Sequence, residues 1–219
     1  MKQDHLLTEG NVFHALLAFS VPFLIANLIQ ALYGAVDLMV VGWYCSPESV
    51  AAVSTGTQVT QIITNLVSGL TMGGTILVGK YTGMRDEEQT RRTIGTTLSV
   101  FAAVAVALTL VMLIFTDPIL ALLQTPAESA ALAKQYVTIC FYGIFFICGY
   151  NAISAILRGY GDSRRPMYFV ALSCILNIIG DFVFVKYLHM GVAGTALATV
   201  LSQAVSMIVS IIYLNKKKF

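Results

Sequence analysis

Asp37 and Asp181 are the residues best placed to do chemistry in this sequence, because each sits inside an otherwise apolar stretch, the first and the fifth along the chain. Asn177 lies four residues before Asp181 and so shares its helix face. A carboxylate at bilayer depth costs about 2.5–3.5 kcal/mol on insertion scales, so a membrane protein that carries two is expected to use them. Paired buried carboxylates favour taking up a proton, since desolvation and a neighbouring negative charge both disfavour the ionised form. Alternatively, carboxylate, amide and hydroxyl oxygens together make a hard site for a cation such as sodium. Either occupant changes the charge inside the protein, and a pump can couple that change to movement.

The elements that must position these residues follow from composition. The 219 residues are 57% hydrophobic and 11% charged, against about 25% charged in soluble domains. Six stretches are long enough to span a bilayer, which takes about 20 apolar residues: Phe13 to Tyr44, Val50 to Val78, Thr93 to Phe115, Ala131 to Leu157, Met167 to Leu188 and Val192 to Leu214. The first is far longer than a signal-peptide core and reads as a helix. The expected fold is an all-α membrane protein, residues 1–219 forming a single six-helix transmembrane bundle with no soluble domain.

If the spans alternate, Lys2, Lys80, Arg85, Arg91, Arg92, Arg158, Arg164, Arg165 and Lys216 to Lys218 fall on one side, and Lys134 and Lys186 on the other. The positive-inside rule then puts both termini in the cytoplasm. Membrane lipid is the expected surrounding; the basic runs can touch anionic head groups, although orientation explains them without that. Trp43, Tyr44 and Tyr187 near outer ends, with Tyr81, Tyr168 and Tyr213 near inner ends, read as aromatic belts. Asp117-Pro118 and Thr125-Pro126 should stop helices in the connection from Thr116 to Ser129. Gly69 with Gly73, and Gly191, Gly194 and Ala198, are expected to let helices pack closely. Cys45, Cys140, Cys148 and Cys174 show no metal-type spacing and read as small core residues.

Depth can be counted. Asp37 lies seven residues before Tyr44, Asp181 seven before Leu188 and Thr199 eight after Gly191, which puts all three about 10–12 Å inside the outer boundary at 1.5 Å per residue. Asn27, Gln30 and Asp37 form a polar stripe on the first helix, Tyr136 enters the fourth near its outer end, and Asn151 lies deeper. Lipid cannot face such a stripe, so it should turn inward. The plainer reading, interhelical hydrogen bonding worth about 0.6 kcal/mol each, suits Asn27, Gln30 and Asn151 but does not call for acids. Pro22 removes a backbone hydrogen bond within the first helix and invites a bend.

Together, LTEGNVFHALLAFSVPFLIANLIQALYGAVDLMVVG from Leu7 to Gly42, LRGYGDSRRPMY from Leu157 to Tyr168, NIIGD from Asn177 to Asp181 and GVAGTALAT from Gly191 to Thr199 carry a resemblance. They resemble the multidrug and toxic compound extrusion (MATE) family, within it the bacterial DinF-like and MepA-like branch. The resemblance implies export of hydrophobic or cationic small molecules across the bacterial plasma membrane in exchange for protons or sodium ions. It implies a coupling site at Asp37, Asn177, Asp181 and Thr199, with sodium held there if sodium is the ion. Gln30, Tyr136 and Asn151 match residues lining the lobe cavity, and Pro22 matches a bending proline. Family members have two six-helix lobes. This chain resembles the N-terminal one, so the expected partner is a missing C-terminal lobe, and truncation is the favoured reading.

Two other functions compete. A lipid-linked oligosaccharide flippase of the same superfamily should line its cavity with cations for pyrophosphate, and no Lys or Arg is expected inside a span. An intramembrane enzyme is disfavoured by the lack of His-Glu-x-x-His, Gly-x-Ser-x-Gly or a Cys-His pair at depth. No enzyme activity, resident cofactor or nucleic-acid partner is expected. A non-transporting membrane fragment is the remaining alternative.

Overall fold

In hydrocarbon a backbone must satisfy its own N–H and C=O groups, and a single chain segment does this only as a helix. A computed structural model, which describes residues 12–216, accordingly consists of helices and short connections, with no strand among the described residues. The order is α1 (Val12–Tyr44), α2 (Pro47–Gly83), α3 (Glu87–Ile114), α4 (Thr116–Leu122), α5 (Ala127–Tyr142), α6 (Ile144–Gly159), α7 (Arg164–Asp181), a π-helical turn (Phe182–Tyr187) and α8 (Gly191–Lys216). Lys2, the Leu7 to Asn11 part of the opening motif, Lys217 and Lys218 lie outside the described residues.

Among the described residues five helices are long and apolar enough to cross a membrane, and α5 with α6, bent by 45°, makes a sixth if the pair is one span. The sequence suggested one uninterrupted span there. It breaks at Gly143, whose N–H turns back to Cys140 O at 2.9 Å. A Cβ at Gly143 would lie 2.7 Å from Val200 Cγ2, so α8 presses against the break. Two of the expected connections are also partly helical. Asp86 Oδ1 accepts from Gln89 N at 3.0 Å and starts α3 within the charged loop. The connection after α3 breaks at Phe115 but then forms α4, with Pro118 in its first turn, where a missing N–H is tolerated.

α2 packs on α5 and α6, α1 on α7, and α7 on α8. The main core joins Val41, Val53, Val59, Ile63, Phe101, Tyr136, Phe141 and Ile144, while Tyr150, Ile153, Leu157, Phe169 and Val170 form a second cluster nearer Arg164. The cysteines are free, and Cys140, Cys148 and Cys174 are buried. Lys80, Arg85, Arg91, Arg92, Arg158, Arg164, Arg165 and Lys216 gather at one end, the basic end, with Lys134 and Lys186 at the other. At that other end Trp43, Tyr44 and Tyr187 are exposed, and Lys186 lies 5.5 Å from the Tyr44 ring centroid.

Small residues meet the expectation only in part. Gly194 packs on Phe184, and Ala198 on Gly180. A Cβ at Gly69, Gly73 or Gly191 meets nothing within 4 Å, so these glycines bring no described helices together. Gly191 instead serves the turn before α8, at φ +56°. At Gly159 α6 passes close to the backbone of α2, since a Cβ there would lie 2.7 Å from Val78 Cβ and 3.0 Å from Thr75 O. Gly159→Leu should therefore force α6 from α2 and lower stability by about 1–3 kcal/mol, read from thermal unfolding in detergent. Gly73→Leu is the control and should change it by less than about 0.5 kcal/mol.

Candidate functional site

Asp37 faces inward from α1, Asn177 and Asp181 from the last turns of α7, and Thr199 from the third turn of α8. These helices are mutually packed, so the four side chains converge as the depth count predicted. Asp37 is 2% exposed, Asn177 and Asp181 are fully buried, and Thr199 is 9% exposed. Thr199 Oγ1 donates to Asp37 Oδ2 at 3.2 Å and accepts from Asn177 Nδ2 at 3.4 Å. Asp181 lies within electrostatic reach of Asp37.

Four acceptor oxygens in this cluster meet no hydrogen-bond partner among the described residues: Asp37 Oδ1, Asn177 Oδ1 and both carboxylate oxygens of Asp181. The ion pairs among the described residues, Arg92 with Glu88, Lys134 with Asp117 and Arg165 with Asp162, do not involve either acid. Buried acceptors left unpaired are costly, and a cation or a shared proton is what would satisfy them. The donor set is two carboxylates, an amide and a hydroxyl, all oxygen as hard cations prefer. No group of three or more His, Cys, Asp or Glu that could hold a metal ion occurs among the described residues.

Tyr33 belongs to the same cluster and was missed from sequence. Its hydroxyl pairs with Ser202 Oγ and lies 3.4 Å from Ser173 Oγ, and Ser202 Oγ donates to Thr199 O at 2.8 Å. The signal was present in the spacing: Tyr33 precedes Asp37, and Ser173 precedes Asn177, each by one helical turn.

The other predicted residues lie elsewhere. Asn27, Gln30 and Asn151 line a crevice at the basic end, with Asn27 still exposed and Gln30 half-buried. The stripe on α1 thus splits between two places. Tyr136 is buried: it is 1% exposed, and its ring fills the space beside Gly56. Its hydroxyl is 3.5 Å from Thr57 Oγ1. Pro22 is buried within α1, which runs unbroken past it. Arg158, expected in a loop, sits in the last turn of α6 and is half-buried, so the expectation that no cation enters a span is corrected.

Thr199→Val removes a donor to Asp37 and the acceptor of the Asn177 amide while keeping shape. It should lower stability by about 1–3 kcal/mol, the usual cost of stranding buried polar groups, read from thermal unfolding in detergent.

The MatE family profile matches residues 22–183. "Probable multidrug resistance protein YoeA" of Bacillus subtilis is 34% identical over 227 residues, covering 99% of this chain and 48% of that protein. "Multidrug export protein MepA" of Staphylococcus aureus is 26% identical over 220 residues, covering 99% and 48%. A crystal structure of MATE in the bent conformation superposes with a TM-score of 0.93 at 31% identity, covering 100% of this chain and 49% of that one. The chain spans about half the length of the curated relatives it matches.

Proposed function

This chain belongs to the MatE family of multi-pass membrane transporters, and from that membership we propose that it is the N-terminal half of an antiporter that exports hydrophobic or cationic drugs in exchange for protons or sodium ions. Transport rather than enzyme catalysis is the family's work. The observation that carries the coupling role is the buried acid pair, with Thr199 bridging Asp37 to Asn177 and four acceptor oxygens of the cluster without a hydrogen-bond partner among the described residues. A sodium ion fits there as cargo, with Asp37, Asn177, Asp181 and Thr199 as its oxygen donors; a proton would be shared between the carboxylates. Binding either one neutralises charge between α1 and α7, and a bend at Pro22 is the movement it would favour.

A half-transporter needs a second half, because alternating access rocks one repeat against another around a central site. The partner is a C-terminal lobe. The charge pattern supports cytoplasmic termini in a bacterial plasma membrane. An anionic lipid cargo fits less well, since neither acid forms an ion pair among the described residues.

The direct test titrates sodium against the chain purified in detergent and follows thermal unfolding. Sodium should stabilise the native protein where potassium does not, and Asp181→Asn should remove the effect. If acidification stabilises instead and sodium is inert, the proton is the coupled ion. If neither stabilises it, or Asp181→Asn responds as the native chain does, the coupling site is elsewhere.

A further inference from the structure

At the basic end, α1, α6 and the start of α7 enclose a crevice of about 30 Å³, lined by Asn27, Gln30, Tyr150, Asn151, Arg158 and Ser163 among others. That space admits about two or three water-sized atoms. It is far too small for a drug and fits the oxygens of a carboxylate or a phosphate group. Its chemistry is donor-rich. Arg158 makes no ion pair among the described residues; its guanidinium lies 5.6 Å from the Phe23 ring centroid. Asp162, the nearest acid in sequence, is engaged by Arg165 at 3.6 Å and also caps the Arg165 N–H at 3.2 Å.

Ser163 is only 4% exposed, lines the crevice and makes no capping bond at the start of α7. Asn151 Nδ2 spends one hydrogen on Ile147 O at 2.8 Å, and the Tyr150 hydroxyl donates to Pro166 O at 3.0 Å. The 18-residue α7 directs the positive end of its dipole toward the same place. A half-buried guanidinium, a buried free hydroxyl, side-chain amides and a helix N-terminus all favour negative charge. The guanidinium and the helix N-terminus are not explained by a site for a cation or for a hydrophobic drug.

We propose that this crevice binds an oxyanion, a phosphate or carboxylate group, held by Arg158 with Ser163 and the amides of Asn27 and Gln30. The site is separate from the acid pair and does not depend on the transport reading. The group comes either from an anionic phospholipid head or from a small anion in solution.

The test purifies the chain in neutral detergent and follows thermal unfolding against phosphatidylglycerol, inorganic phosphate and acetate. At least one should stabilise the native chain, and Arg158→Gln should weaken its apparent affinity by about tenfold or more. Arg91→Gln, which removes an exposed charge at the same end, should leave it unchanged. Stabilisation by phosphatidylglycerol alone identifies a lipid head group; stabilisation by phosphate or acetate as well identifies a soluble anion. If Arg158→Gln does not fold, Ser163→Val and Gln30→Leu carry the test and should each weaken binding. The proposal is overturned if no anion stabilises the native chain, if the crevice variants respond as it does, or if Arg91→Gln loses as much as Arg158→Gln.

Discussion

Asp181→Asn will abolish ethidium export from an efflux-deficient host that carries this lobe together with a C-terminal lobe, with the protein's membrane level unchanged. The substitution keeps size and shape and removes only the charge and one acceptor, so it separates coupling from folding. Asp37→Asn should do the same, since Thr199 donates to Asp37 at 3.2 Å and Asp181 lies beside it in one buried cluster. Residues acting as a unit are not additive, so the double variant should be no worse than either single one. The measurement is ethidium accumulation alongside immunoblots of the membrane fraction. Undiminished export by either variant would sink the coupling role. Imposing a proton gradient or a sodium gradient on vesicles then separates the two ions.

Tyr136→Ala will destabilise the protein by about 3–5 kcal/mol, the range for emptying a buried aromatic site, whereas Tyr136→Phe will cost about 1 kcal/mol or less. The ring is 1% exposed and fills the space beside Gly56, while its hydroxyl makes only a 3.5 Å contact with Thr57. Thermal unfolding in detergent reads both variants. If the ring packs but does not meet cargo, Tyr136→Phe also exports normally. A Tyr136→Phe variant that is stable but defective in export would restore a substrate-lining role.

The residues that could be read from sequence share one property: their position along a helix fixes their position in the membrane. Counting from Tyr44 and Gly191 was enough to bring Asp37 and Thr199 to one level, because rise per residue is constant in an α-helix; the count from Leu188 to Asp181 crosses the π-helical turn Phe182–Tyr187, where that rise does not hold. Rotation about the axis was harder. Asn27, Gln30 and Asp37 share a stripe on paper, yet α1 is packed on one side only, so one residue is exposed and another buried. The Gly69 and Gly73 pair failed for a related reason, since a small-residue motif signals close packing only where a helix faces it. The break at Gly143 was illegible because apolar composition continues through it, and the residue packed against it, Val200 of α8, is distant in sequence. Arg158 is illegible as a crevice residue from sequence because a charge ordinarily marks the end of a span, whereas a long side chain can follow its helix into a polar crevice.

Trp43 is the sole tryptophan of the chain and is 62% exposed. It ends the same helix that carries Asp37, six residues on, about 9 Å along the axis. The protein therefore contains its own optical probe, excited without labelling and free of overlapping indole signals. Any tilt of α1 that follows cation binding will change how deeply that indole sits, and lipids brominated at known depths will quench its emission accordingly.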